Sequence, residues 1–150
     1  MRIRIKNKSF YIDRKDWALL DGLKWHVGQY VYTQVDGKTV YLHRLILNPP
    51  KGVYVDHINR NPLDNRRKNL RFATQSQNMA NQGLAKHNSS GYKGVSFHKA
   101  AQKWQAYIEC GKKIHIGCFA DRHEAAHIYN QVAIQVFGDF AQLNEIEVQP

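Results

Sequence analysis

The chain has 150 residues, with 22 Lys and Arg against 12 Asp and Glu, a net charge of +10 and an isoelectric point near 9.7. Its 43% apolar content is too high for a disordered polycation, so the charge lies on a folded surface and favours a polyanionic partner. No segment approaches the roughly 18 uninterrupted apolar residues of a membrane helix, and the first six residues alternate with charges where a signal peptide would be apolar. We therefore expect an intracellular protein without membrane association.

Two features of the composition limit metal sites and domains. Only Cys110 and Cys118 are present, too few for a four-thiolate zinc site or a disulfide framework, so a metal would need His, Asp, Asn or Glu. Residues 1–82 are strongly basic, whereas residues 120–150 are acidic. The stretch from Gln82 to Gly91 is rich in Gly, Ser and Asn, which predicts a linker. The expected organisation is a first domain at 1–82, a linker at 83–90 and a second domain at 91–150.

Short strands and short helices are predicted in the first half. Asp36-Gly37 is a strong signal for a two-residue hairpin turn, and Asp13 is a possible helix cap. Thr74 and Gln77 form a capping-box pattern at the start of another helix. In chain order we expect strand character at 2–11, a helix at 13–23, strands at 31–35 and 38–42, a turn or helix at 42–47, a strand at 53–58, a polar loop at 59–69, a strand at 70–73 and a helix at 74–81.

A three-stranded antiparallel sheet and one helix are predicted in the second half. Asp121 and Glu124 mark the start of the helix and Gly138 its end, so the chain as a whole is of the α+β class. The strands are expected at 92–98, 103–110 and 113–119. Period-two alternation turns an apolar face toward the helix, formed by Val95, Phe97, Trp104, Ala106, Ile108, Ile114, Ile116 and Cys118. The outer face holds Ser96, His98, Gln105, Tyr107, Glu109, Lys113 and His115, and is either a DNA-contacting surface or an ordinary solvated one.

The adjacent pair Asp56-His57 is the most suggestive chemical feature of the first half. Neighbouring strand residues point to opposite faces, so one side chain could bind a metal while the other addresses a substrate. Taken alone, such a pair is more often a surface hydrogen-bonding pair. Asn69 follows at the end of the loop, and Asn78 lies in the next helix.

With these spaced residues, the first half resembles the HNH homing endonucleases of phages and introns, which have a ββα-metal fold. The matching stretches are His43-Arg44-Leu45-Ile46, Val55-Asp56-His57-Ile58-Asn59, Asp64-Asn65-Arg66-Arg67, Asn69-Leu70-Arg71 and Gln77-Asn78. The resemblance implies that His57 is the general base, and that Asp56 and Asn78 bind one divalent cation. It further implies that Asn69 ties down the loop and orients His57.

Several consequences follow from these implied roles. Oxygen-only ligands suit Mg²⁺ or Mn²⁺ rather than Zn²⁺, and the neutral Asn78 amide should make the ion exchangeable. His43 either forms hydrogen bonds beneath the site or contacts phosphate or metal. Beside a phosphodiesterase centre, basic residues are expected to hold DNA phosphates rather than to be merely solvated. These residues are Arg66, Arg67, Lys68 and Arg71.

A second set of spaced motifs lies in residues 90–144. These are Ser90-Gly91-Tyr92-Lys93-Gly94-Val95, Lys103 to Ile108, Ile116 to Phe119, Glu124-Ala125-Ala126, Tyr129 with Ala133, and Gly138, Ala141 and Asn144. With these motifs, the second half resembles the APETALA-type, ethylene-response-factor DNA-binding domain. That family places its sheet in the DNA major groove, which implies DNA contacts by Lys93, Ser96, His98, Gln105, Tyr107, Lys113 and His115. Several Arg positions and a Trp of the plant proteins are replaced here, so their target sequence does not carry over.

The sequence thus predicts a site-selective, Mg²⁺- or Mn²⁺-dependent endonuclease of the homing type that acts on double-stranded DNA. With one active site per chain, the natural product is a nick, and a double-strand break would need two copies or two events. The protein is expected to be a monomer or a weak dimer. If the gene is phage-encoded, the protein would act in the cytoplasm of a bacterial host. Two alternatives stay open: a DNA-binding regulator with an inactive nuclease centre, and a structured-RNA binder that uses the same basic face.

Overall fold

The computed structural model describes residues 1–146, so the last four residues of the predicted second domain lie outside the described residues. Contacts divide the chain into two compact units, Met1–Gln75 and Ser76–Pro150, each with its own apolar core. This division groups most of the helix at 75–81 with the second unit. Helices and sheets occur together in the chain, which confirms the α+β class. No helix in the described part is long and apolar enough to cross a membrane.

The first unit is built from short antiparallel pairs of strands. The elements are β1 (Arg2–Ile5), β2 (Lys8–Tyr11), a 3₁₀ helix (Arg14–Leu20), β3 (His26–Val27), β4 (Val31–Val35), β5 (Lys38–Tyr41), α1 (Leu42–Leu47), β6 (Tyr54–His57), a 3₁₀ turn (Arg67–Asn69) and β7 (Leu70–Ala73). β1 pairs with β2, β4 lies between β3 and β5, and β6 pairs with β7. At the β4–β5 turn, Asp36 and Gly37 both have positive φ, 48° and 74°, as the predicted two-residue hairpin turn requires.

The apolar core of the first unit collects one or two residues from nearly every element. Its members are Phe10, Ile12, Trp25, Val31, Leu42, Ile46, Val55 and Leu70. Burial of such side chains stabilises a fold by roughly 1.5–3 kcal/mol each. The helix expected at 13–23 is instead a 3₁₀ helix that buries Asp16 and leaves Trp17 exposed, because the Asp16 carboxylate binds Arg67 from far along the chain.

The strand β6 holds the Asp56-His57 pair in the interior of the first unit. It pairs with β7 in antiparallel register, so that Asp56 lies opposite Arg71 and His57 opposite Leu70. Both Asp56 and His57 are buried. The loop between the two strands is therefore closed at its base by a regular ladder, and α2 (Gln75–Asn81) follows β7 directly.

The second unit contains a three-stranded antiparallel sheet in the order β8–β9–β10, with α3 packed against it. The elements are β8 (Val95–His98), β9 (Lys103–Glu109), β10 (Lys113–Phe119), α3 (Arg122–Phe137) and a final 3₁₀ turn (Gly138–Phe140). Asp121 caps α3 by accepting hydrogen bonds from the backbone N–H groups of His123 and Glu124 at 2.7 and 3.0 Å. Gly138, with φ of 52°, follows its last turn.

A β-bulge in β10 changes which side chains face the helix. The register with β9 shifts between His115 and Gly117, so one extra residue is accommodated and the alternation reverses after it. Cys118 then lies opposite Gln105 on the outer face, and Phe119 lies opposite Trp104 on the helix face. The prediction that Cys118 faces the helix is therefore wrong.

Small residues predominate on the face of α3 that packs on the sheet. The buried positions are Ala125, Ala126, Tyr129, Ala133 and Phe137, a stripe that depends on small residues. Val136 lies outside this stripe and is 44% exposed. Alanines at the contact allow the helix to lie close to the sheet, since only a methyl group separates the two backbones.

Candidate active site

His57 lies at the end of β6 and is held by a buried amide. Its Nε2 lies 3.3 Å from Oδ1 of Asn65, which is itself fully buried. Because an amide oxygen can only accept a hydrogen bond, Nε2 is the protonated nitrogen of the neutral ring, and Nδ1 has the lone pair. A neutral imidazole with a fixed tautomer can act as a general base.

The surroundings keep His57 neutral. Burial lowers the pKa of His57 from its ordinary value of 6.5, against opposing contributions from the Asn65 hydrogen bond and the nearby Asp56 and Asp64 carboxylates. The net direction is downward, so the fraction of neutral imidazole at pH 7 exceeds that of an exposed histidine.

His43 packs beside His57 in a cluster of rings. The two imidazole centroids are 5.1 Å apart and nearly perpendicular, and Tyr30 and Tyr41 lie 5.4 and 5.6 Å from His43. Burial, then the neighbouring His57 and Arg44, lower the pKa of His43 to about 3. Within the described residues its buried Nδ1 has no hydrogen-bond partner, so the hydrogen bonding expected of His43 is not seen at this atom. Contact with phosphate or metal stays a prediction.

Asp56 presents a buried carboxylate next to His57. Its Oδ2 accepts a hydrogen bond of 2.8 Å from Nε of Arg71, its partner across the β6–β7 ladder. A carboxylate has about four acceptor positions, so this ion pair is compatible with a further ligand. Carboxylate oxygens are ligands that Mg²⁺ and Mn²⁺ prefer, and the role of Asp56 as a metal ligand stays a prediction.

The other predicted metal ligand is Asn78, which lies on α2 within the second unit and is half-buried. In residues 1–146 no group of three or more His, Cys, Asp and Glu side chains is placed to hold a metal ion. The role of Asn78 as a metal ligand stays a prediction.

Asn69 fastens the loop between β6 and β7. Its Nδ2 donates to Oδ1 of Asn59 and to the carbonyl of Asp64, at 2.9 and 2.8 Å, and its Oδ1 accepts from the Asn59 backbone N–H at 2.9 Å. These bonds fix the loop on both sides of Asn65. Asn69 is thereby placed to orient His57 indirectly, while Asn65 makes the direct contact.

Three of the four arginine and lysine residues expected to hold phosphates are paired with carboxylates of the first unit. Arg66 forms two hydrogen bonds with Asp64, at 2.7 and 2.6 Å, and Arg67 binds Asp16 at 2.7 Å. Arg71 binds Asp56 as described. Lys68 is exposed. The phosphate contacts of these four residues stay predictions, and the ion pairs give the arginines a structural role in holding the loop.

The outer face of the sheet in the second unit is polar, and several of its side chains contact one another. Nε2 of Gln105 donates to Oγ of Ser96 at 2.9 Å, and Nζ of Lys113 lies 3.8 Å from the centroid of the Tyr107 ring. His115 lies opposite Tyr107 in the β9–β10 register. The sheet therefore brings together five of the residues predicted to contact DNA.

Lys93 and His98 are engaged within the second unit. The Lys93 ammonium donates to the carbonyl oxygens of Met79, Ala80 and Gln82 at the end of α2. Nδ1 of His98 accepts a hydrogen bond from the Ala101 backbone N–H at 3.2 Å. An ammonium group has three donors, so Lys93 can satisfy the last carbonyls of α2, and its contact with DNA stays a prediction.

Comparison with known proteins identifies the nuclease family. A family described as HNH endonuclease matches residues 40–80. The chain is 32% identical over 151 residues to a protein of Acanthamoeba polyphaga mimivirus named as an uncharacterised HNH endonuclease, with 96% of this chain and 79% of that protein covered. This chain belongs to the HNH endonuclease family. The prediction that it is an enzyme of this class is confirmed.

Two further relatives cover smaller parts of this HNH endonuclease. Protein 3.8 of Escherichia phage T7 is 34% identical over 93 residues, 62% of this chain and 77% of that protein. The APETALA2-like protein 2 of Oryza sativa is 39% identical over 57 residues, 37% of this chain and 13% of that protein. No solved structure matches.

Two residues of the HNH site were not assigned a role from the sequence. Asn65 lies in the matched stretch Asp64-Asn65-Arg66-Arg67, but an uncharged amide in a polar loop gives no signal of its own. Tyr30, whose ring lies 6.2 Å from that of His57, lies near the β3–β4 turn. The fold of the chain brings both residues close to His57, and neither residue type by itself indicates that contact.

Proposed function

We propose that this HNH endonuclease is a site-selective, divalent-metal-dependent enzyme of the homing type that nicks double-stranded DNA. The observation that supports this most directly is His57, buried beside Asp56 and hydrogen-bonded through Nε2 to Asn65. A histidine in this arrangement is neutral near pH 7 and has one defined basic nitrogen. One such site per chain accounts for a nick.

His57 takes a proton from the attacking water in this proposal. The unprotonated ring nitrogen takes the proton as the water oxygen forms a bond to phosphorus. The bond from phosphorus to one sugar oxygen breaks, and that leaving oxygen takes a proton from solvent. Burial lowers the pKa of His57, which keeps the base available below neutral pH. A correctly placed general base contributes roughly 10²–10⁴-fold to a rate.

Asp56 and Asn78 are the residues proposed to hold one Mg²⁺ or Mn²⁺. Bound there, the ion would stabilise negative charge on the phosphate and on the leaving oxygen. Arg71 holds one oxygen of Asp56 and limits its rotation. The neutral Asn78 makes the binding weak enough for a chelator to remove the ion.

The second unit is proposed to select the site through the outer face of its sheet. Support comes from the partial similarity to a protein named APETALA2-like and from the grouping of Gln105, Tyr107 and Lys113 on one face. Amide, hydroxyl and ammonium groups can contact base edges and phosphates. Lys93 is left out of this proposal because its ammonium binds α2.

A plasmid assay tests the proposed reaction. Supercoiled DNA that contains the gene's own flanking sequence is incubated with the protein in Mg²⁺, in Mn²⁺ and in EDTA. We expect an open-circular product with either metal and none in EDTA. Full activity in EDTA would overturn the metal role. Tight binding of duplex DNA without cleavage in any metal would favour a DNA-binding regulator, and preferential binding of structured RNA would favour the RNA-binding alternative.

A further inference from the structure

The hairpin formed by β1 and β2 has a dense positive charge. Arg2, Arg4, Lys6 and Lys8 are all exposed, and the first twelve residues include no Asp or Glu. In the part of the chain that the structure describes, none of these four side chains forms an ion pair. The charge of the hairpin is therefore not neutralised within the protein.

The arginines of the β6–β7 region differ in this respect. Arg66, Arg67 and Arg71 each bind a buried carboxylate at 2.6 to 2.8 Å. Displacing such a pair toward a phosphate would leave a buried carboxylate without its partner, which is costly. The cations of the hairpin can bind a phosphate without this free-energy cost, because no ion pair with a carboxylate has to be broken.

The hairpin is also fixed to the loop that holds His57. The Tyr11 backbone N–H donates to the carbonyl of Leu63, and the Tyr11 carbonyl accepts from the Asn65 backbone N–H, both at 2.8 Å. Asn65 in turn contacts His57. Two hydrogen bonds thus separate the strand β2 from the proposed base.

The register of β1 with β2 places Arg2 and Arg4 on the face of the hairpin that points away from the core. Arg2 lies opposite Tyr11 and Arg4 opposite Ser9, so these four side chains share one face of the hairpin. Ile3 and Phe10 face the core on the other side. The guanidinium carbon of Arg66 lies 5.4 Å from the centre of the Tyr11 ring and extends the same surface.

We propose that the outer face of the β1–β2 hairpin binds the phosphate backbone of the duplex next to the cleavage point, with Arg2 and Arg4 as the contacting residues. This inference rests on duplex DNA being the substrate. Guanidinium groups match phosphate geometry, and two of them separated by one strand residue present a short linear array of charge. The contacts position the duplex and read no sequence.

The test measures binding rather than cleavage, in EDTA, with the full-length protein and a labelled duplex. The dissociation constant is determined over a range of salt concentration for the wild type, for R2Q/R4Q and for the matched control K38Q/K51Q. Lys38 and Lys51 are exposed in the same unit, so the control loses the same charge away from the hairpin.

Loss of two phosphate contacts should reduce the slope of log affinity against log salt by about 1.8, at about 0.9 per contact. The control should change the slope by much less, and R2K/R4K, which keeps the charge, should preserve most of it. Equal slopes for R2Q/R4Q and K38Q/K51Q would overturn the role of the hairpin. A wild type that binds and nicks DNA while R2Q/R4Q behaves like the control would leave the proposed function intact and refute this inference alone.

Discussion

The buried His43 should make the first unit sensitive to acid. Its pKa is about 3 in the folded protein against 6.5 when exposed, so the folded chain binds fewer protons than the unfolded chain in this range. The associated stability is fully present above pH 6.5 and is lost as pH falls toward about 3. At pH 5 the loss from this residue is about 2 kcal/mol, at roughly 1.4 kcal/mol for each pH unit below the unfolded pKa.

Urea unfolding at pH 7 and pH 5 in EDTA, followed by circular dichroism and tryptophan fluorescence, measures this loss. H43F keeps an aromatic ring in the cluster with Tyr30 and Tyr41 but has no titrating group. Its loss of stability between the two pH values should be about 2 kcal/mol smaller than that of the wild type. The exposed-site control H87A should match the wild type. An equal pH dependence for H43F and the wild type would refute the reasoning.

Three further predictions concern the base, the sheet packing and site selection. N65A should lower the cleavage rate by about 10- to 100-fold and move the acid limb of the pH–rate profile to lower pH, because a hydrogen bond that raises the pKa of His57 is lost. G94A should destabilise the second unit by about 2–4 kcal/mol in thermal unfolding, since its Cβ would lie 2.2 Å from the Tyr129 ring at a φ of +71°, whereas G91A meets open space. Replacing Gln105, Tyr107 and Lys113 by Ala together should abolish site preference in cleavage-site mapping on a long duplex, and unchanged site choice would contradict the targeting role. Truncating the protein after residue 82 would test the targeting role less clearly, because Ala80 belongs to the apolar core of the second unit.

The sequence predicts those parts of the fold that are set by local chemistry. The Asp36-Gly37 turn, the Asp121 cap and the alternation in β8 and β9 each depend on residues within a short stretch of the chain. The bulge at His115 to Gly117 could not be predicted, because it depends on how β10 fits against β9. The 3₁₀ helix was missed for a similar reason, since Asp16 is buried only by pairing with Arg67, 51 residues away.

In the candidate site, too, some features could be predicted from the sequence and others depend on the tertiary fold. The pair Asp56-His57 and Asn69 belong to a recognisable pattern along the chain. The contact of Asn65 with His57 and the ion pair between Arg71 and Asp56 arise from the β6–β7 register and from loop closure, which residue type does not reveal. The position of the arginines beside a phosphodiesterase centre predicted phosphate contacts, whereas their ion pairs with buried carboxylates depend on how the first unit folds.

The most direct test of the nuclease mechanism is single-turnover cleavage of the native target by H57A, with duplex binding measured in parallel. We expect the rate to fall by roughly 10²–10⁴-fold while the dissociation constant stays near that of the wild type, because a general base acts in the transition state. High Mg²⁺ should partly rescue D56A and should not rescue H57A, and the exposed-site control H87A should cut normally. Cleavage by folded H57A at the wild-type rate would contradict the assignment of His57 as the base.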